Sequence, residues 1–299
     1  MQSPQVEQST DEIKQGINIL SEMHLTNIVF TGGNPLLRND IEEILKHAHE
    51  KFPLVTIYDN GSMIEKRLSA LKYADKVCVS LSSLNSEQQN NLCGVPKALE
   101  NSLKSLNVLE KNNISSAASI LISNDNLPEV PSIIEYFGSK GISVNLSLYD
   151  SLSLPDSPIK IGKDDSAFHI QNDEMVEFIS ILRNLRKKYR IYTDLKTIDS
   201  IEKIFAQNVR DWKCQALSSF FTIDERGYVS GCHIHPPVCH LFELKELWET
   251  PKFRKHRSQY HKCEKCGYLC YISYSKLRRI RDLIGYTLDY ALHGIHKYT

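Results

Sequence analysis

Five cysteines carry the clearest chemistry in this chain. Cys263, Cys266 and Cys270 fall within Cys263-Glu264-Lys265-Cys266-Gly267-Tyr268-Leu269-Cys270, while Cys214 and Cys232 flank Gly227 upstream. The stretch from Phe220 to Ser230 reads as a hairpin, two apolar strands joined by the polar turn Asp224-Glu225-Arg226-Gly227. A hairpin closes its own ends, so Cys214 is expected to approach Cys232, and the Cys-x-x-Cys pair completes a four-thiolate cage. Such cages hold an iron–sulfur cluster or zinc. The nearby His233, His235, His240 and His261 keep zinc open, and spacing alone does not separate the two metals. Cys239 is spare. Cys78 lies in an apolar strand and reads as core, and Cys93 reads as inert.

The elements that must position these thiols come in a regular order. Ser9 to Glu12 form a capping box before a helix. Strands are expected at 27–31, 54–58, 76–81, 117–122 and 144–148, separated by helices at 96–109 and 128–137 and one starting at Asp40. Strands alternating with helices predict βα units on a parallel sheet. Ser151 to Asp173 turns to Ser, Pro, Asp, Lys and Gly and reads as a linker. A helix follows over 173–189, then a short strand at Ile191-Tyr192, a helix near Ile201, a helix over 244–253 and an amphipathic tail helix from Lys276. The organisation expected is a half-barrel over 1–150, a linker and helical bridge over 151–209, a cysteine module over 210–275 and a C-terminal helix over 276–299.

Composition narrows the function classes. Acidic and basic residues balance at 36 each, so no bulk field draws the chain to nucleic acid or membrane. The polar N-terminus has no signal-peptide core, and no apolar run reaches the ~18 residues of a spanning helix. A cytoplasmic setting is expected, where thiols stay reduced and eight cysteines argue for metal rather than disulfides. No Ser/His/Asp or Cys/His set stands out, so no catalytic residue is assigned.

The cysteine pattern Cys-x12-Gly-x4-Cys, a gap, then Cys-x2-Cys-x3-Cys resembles the SPASM/twitch module appended to many radical S-adenosylmethionine (radical SAM) enzymes. Earlier motifs agree. Thr31-Gly32-Gly33-Asn34-Pro35-Leu36 is similar to that family's Gly-Gly-Glu-Pro loop after the second strand, Thr56 to Gly61 to its third-strand ending, and Val79 to Ser83 to its Ser-Leu-Asp-Gly segment. The resemblance implies a partial (β/α)6 half-barrel missing its first unit, with Gly32, Gly33, Asn34, Pro35 and Ser80 at the SAM-binding end. It also implies one auxiliary [4Fe–4S] cluster on Cys214, Cys232, Cys263 and Cys266, with Cys270 able to replace one of the last two.

The departures from the pattern are as informative. The family's SAM-cleaving cluster needs Cys-x3-Cys-x2-Cys ahead of the first helix, and here the first cysteine is Cys78. Asn34 stands in place of the usual carboxylate, which weighs against SAM binding. Ser82 and Cys93 are further substitutions. The resemblance therefore implies a degenerate relative that binds a peptide substrate or a partner maturase and assists peptide modification. The alternatives are an N-terminally truncated radical SAM/SPASM peptide maturase and a zinc-stabilised interaction module.

Overall fold

The computed structural model describes residues 7–149, 170–264 and 266–276. Helix α1 (Thr10–Glu22) starts at the expected capping box: the Glu12 amide donates to Ser9 Oγ, and the Ser9 amide donates to Glu12 Oε2 at 2.8 Å. Strand β1 (Asn27–Phe30) follows, then α2 (Ile41–Lys51), β2 (Leu54–Asp59), the short α3 (Leu68–Leu71) and β3 (Lys76–Ser80). Two helices, α4 (Ser86–Cys93) and α5 (Ala98–Lys111), precede β4 (Ser116–Ile122), and α6 (Val130–Ser139) leads to β5 (Ser143–Leu148). The single helix expected over 96–109 is thus corrected: α5 starts at Ala98, and a separate α4 precedes it. Gly94, left-handed at φ 67°, ends α4. The helix expected from 128 begins instead at Val130.

The five strands form one parallel sheet in chain order, β1-β2-β3-β4-β5. Ile191 adds a parallel bridge to Val144, with the Tyr192 amide donating to the Val144 carbonyl at 2.9 Å. Parallel sheets are ordinarily apolar on both faces, and this one is not. Val55, Ile57, Val77, Val79, Ile120 and Leu146 point one way and are fully or nearly fully buried against the helices. The opposite face carries Thr56 and Tyr58 paired with Lys76 and Cys78, then Ser80 paired with Ser119, itself beside Asn145. A polar face on a parallel sheet is the lining of a lumen rather than a second core, as a half-barrel requires.

Beyond the sheet, α7 (Asn172–Arg186) and α8 (Leu195–Gln207) pack together, and a three-stranded antiparallel sheet follows. Its strands are β6 (Thr222–Ile223), β7 (Tyr228–Ser230) and β8 (Cys239–His240), so the expected hairpin is present and Cys239 lies in a third strand. Next come α9 (Leu241–Leu247), α10 (Pro251–His261) and α11 (Leu269–Lys276). The helix expected over 244–253 is split, because Thr250 caps a new helix that Pro251 opens: proline suits a first turn, where its missing N–H is no loss. The expected linker lies largely, and the tail helix almost wholly, outside the described residues.

The cysteine-bearing part is docked on the half-barrel. Gly16 of α1 meets Leu241, where an added Cβ would sit 2.5 Å from Leu241 Cδ2. Lys245 pairs with Glu22 at 2.5 Å, and the Gln8 amide donates to the Glu225 carbonyl at 2.9 Å. Helix α11 contacts both β5 and α8.

Candidate functional site

Cys214 lies before the hairpin and Cys232 just after β7, both buried. Cys263 follows α10. These three thiols lie within electrostatic reach of one another: Cys214 feels Cys263, and Cys232 feels both. Burial pushes the Cys214 thiol above its ordinary range and the Cys232 thiol up to about 11. Backbone amides oppose that shift. The Ala216 amide is aimed at Cys214, and the Ile234 and His235 amides at Cys232. Peptide N–H groups turned onto sulfur stabilise the thiolate, the form that binds metal. Tyr260 feels all three thiols, and its hydroxyl accepts from the Gly231 amide at 3.1 Å. His235 Nε2 sits 3.7 Å from Cys263 Sγ.

Cys266 is buried, and Arg210 donates from Nη1 to its carbonyl at 2.8 Å. The guanidinium is held by the Trp212 ring, 3.6 Å away, and its charge reaches Cys214. Arg210 Nε and Nη2 are buried with no hydrogen-bond partner. Two orphaned cationic donors are costly unless something anionic completes them. This donor set, buried thiols with amides and a guanidinium turned on them, fits a thiolate-bound anionic metal group. Among the described residues, no three His, Cys, Asp or Glu side chains close on a single-ion position.

Cys270 is placed differently. It sits in α11 and meets the sheet's polar face, where Tyr58 feels Cys78, Tyr274 and Cys270 in turn. It keeps accessible surface yet is closely surrounded, and burial pushes its thiol up to about 11. The three gathered thiols are not among the groups acting on it. Cys239, also raised to about 11 by burial, stands with β8 beside Glu243 and Lys252.

The second predicted site lies at the carboxyl ends of the parallel strands, where open α/β sheets bind ligands. Gly32 and Gly33 leave open space where a Cβ would sit, and Gly32 has φ +124°. Asn34 Nδ2 donates to Asn60 Oδ1 and to Ser62 Oγ, both at 3.0 Å, and its Oδ1 accepts from the Leu36 amide at 2.9 Å. Pro35 starts a short 3₁₀ turn. Ser80 is exposed at the end of β3, its carbonyl accepting from Ser102 Oγ at 2.9 Å. With no carboxylate in the Gly32–Pro35 loop, the ammonium of SAM would meet only neutral acceptors there, such as the second lone pair of Asn34 Oδ1.

Residues 1–137 match the family model described as the Radical SAM superfamily. That stretch, a little under half of the chain, is similar to the radical SAM superfamily. Relatives extend further: an AdoMet-dependent heme synthase of Methanosarcina barkeri is 23% identical over 286 residues, covering 88% of this chain and 80% of that protein. A probable GTP 3',8-cyclase of Methanosarcina acetivorans is 28% identical over 233 residues, 75% of this chain and 67% of that protein. Among solved structures, anSMEcpe with bound AdoMet and Cp18Cys peptide superposes with a TM-score of 0.65 at 14% identity, covering 96% of this chain and 89% of that one. Streptococcus suis SuiB gives a TM-score of 0.67 at 14% identity, covering 90% of this chain and 66% of that one. The fold is therefore radical-SAM-type, a partial parallel sheet with a separate C-terminal helix-and-sheet unit. Among the described residues no helix is long and apolar enough to cross a membrane.

Sequence reasoning missed Arg210, Tyr260 and Tyr58. A cation four residues before a candidate ligand was the only available signal for Arg210; the two tyrosines become visible only when the chain folds.

Proposed function

We propose that this chain acts in peptide modification: it binds a peptide or a partner maturase, and Cys214, Cys232, Cys263 and Cys266 hold one auxiliary [4Fe–4S] cluster. The observation that carries the reading is Arg210, whose buried Nε and Nη2 lack partners beside Cys214 and Cys266. A cubane with four thiolates is anionic, which suits the orphaned donors of Arg210. When bound, the cluster, with each of its four irons held by a thiolate, would supply one-electron transfer. The chain's own part is to orient and shield it. Backbone amides at Ala216, Ile234 and His235 favour the thiolates, Arg210 neutralises charge, and the Tyr260 ring excludes water.

The peptide assignment rests on likeness of fold to anSMEcpe, whose structure holds a peptide, and on the polar lumen face here. These 299 residues contain no Cys-x3-Cys-x2-Cys, and Asn34 replaces a carboxylate. No SAM cleavage is therefore assigned to the chain. The test is to incubate anaerobically reconstituted protein with SAM, dithionite and a fluorescent peptide library. The reading expects saturable peptide binding and no 5′-deoxyadenosine; release of 5′-deoxyadenosine, or no peptide retained, would count against it. His235 beside Cys263 is the contact that favours a zinc module instead, and metal analysis separates the two.

A further inference from the structure

Apart from the cysteine centre and the strand-end rim, the lumen holds a cation that neither site uses. Lys76 opens β3 on the polar face, in register with Thr56 and two residues before Cys78. From Ser80 at the rim it is four residues down the strand, ~13 Å at the usual rise. Arg190 and Tyr192 flank Ile191, whose side chain is buried and which bridges Val144, so alternation turns these two toward the lumen. Lys76 Nζ stands 3.5 Å over the Tyr192 ring. The charges acting on it are Cys78 and a second cation, Arg190. Lys76 forms no ion pair with the described residues, although acidic and basic residues are equal in number. Desolvation pulls the ammonium down to about 8, so the site penalises its charge while no carboxylate among the described residues offsets it.

An ammonium held on an aromatic face, half-buried, beside another cation and among hydroxyl and amide side chains, has no anion to meet among the described residues. We propose that the floor of the half-barrel is an oxyanion-binding subsite, in which Lys76 grips a carboxylate or phosphate of a ligand lying along the lumen. Thr56 supplies a hydroxyl one strand away. The subsite is independent of the metal held by the cysteines and of the loop at Asn34, so it stands or falls separately from the cluster reading.

Calorimetric titration of the full chain with succinate and, separately, inorganic phosphate tests this. Saturable binding of either is expected, the stronger arm naming the oxyanion. Lys76→Met should weaken it at least about tenfold, the loss of one charge-assisted hydrogen bond, while Lys76→Arg retains it. In the unaltered protein, acetic anhydride labelling read by mass spectrometry should show Lys76 slowed by the bound anion and exposed lysines unaffected. This second readout does not depend on a variant folding. Absence of saturable binding by both anions, equal binding by Lys76→Met, or labelling of Lys76 indifferent to anion would each overturn the proposal.

Discussion

Replacing Arg210 by methionine separates a residue that supports the fold from one that waits for an anionic group. In the metal-free protein the guanidinium gains one hydrogen bond to the Cys266 carbonyl and a stack on Trp212. These are worth roughly 1.5–3 and 0.5–2 kcal/mol. Against them stand Nε and Nη2, buried without partners, at roughly 1–3 kcal/mol each. The two sides nearly cancel. Methionine keeps an unbranched stem against Trp212 and removes both orphaned donors. Arg210→Met should therefore change the urea-unfolding free energy of metal-free protein by less than about 1 kcal/mol. With a cluster in place the orphaned donors are satisfied, and losing both removes roughly 1.5–3 kcal/mol per bond, about a hundredfold or more in retention of iron. The assay pairs urea unfolding of metal-free protein with the rate of chelator-induced bleaching of reconstituted protein. Equal loss in both forms, or faster unfolding with unchanged bleaching, would refute the argument, because Arg210 would then be an ordinary structural cation.

Three further outcomes follow from the same geometry. Cys232→Ser should abolish iron retention while Cys270→Ser and Cys239→Ser leave it intact, read as iron per chain; loss of iron in Cys270→Ser would return that thiol to the ligand set. Asp59 is buried, and desolvation raises its carboxyl from 3.8 to about 6, only partly opposed by the Gly61 amide at 2.7 Å. A folded pKa above the unfolded one means the native state binds the extra proton, so this group's contribution is fully present below pH ~4 and is lost as pH rises to about 6, roughly 3 kcal/mol in all. Asp59→Asn should accordingly gain on the native protein between pH 4 and 7 in urea midpoints, and an identical pH slope in both would dismiss the shift. Gly61 has φ +88°, with Ser105 Oγ 3.0 Å and the Asn101 carbonyl 3.3 Å from where a Cβ would sit. Gly61→Ala should cost roughly 1–3 kcal/mol by thermal unfolding; a neutral variant would mean the loop yields easily.

The parallel sheet was readable because its strands are short, largely apolar runs between turn residues, as in Leu54-Val55-Thr56-Ile57-Tyr58, where local composition and burial agree. The helices were read less well. Apolar periodicity runs through Pro96 and Thr250-Pro251, but the breaks are set by a left-handed Gly94 and a Thr250 cap, which are matters of backbone geometry. The hairpin bringing Cys214 toward Cys232 was legible because its turn chemistry is local. The orientation of Cys270 was not, since α11 lies against the sheet and turns that thiol toward Tyr58, a contact between residues far apart in the chain. The same limit hid Lys76. In the sequence it is a lysine opening an apolar strand; only the parallel register, with Tyr192 across the lumen, shows that it faces inward.

The central claim, a four-iron cluster on the gathered thiols, is tested most directly by native mass spectrometry of anaerobically reconstituted protein alongside its absorption spectrum. The account predicts a mass increment of about four irons and four sulfides per chain with a brown chromophore that dithionite bleaches. A colourless protein carrying one tightly held zinc would contradict it.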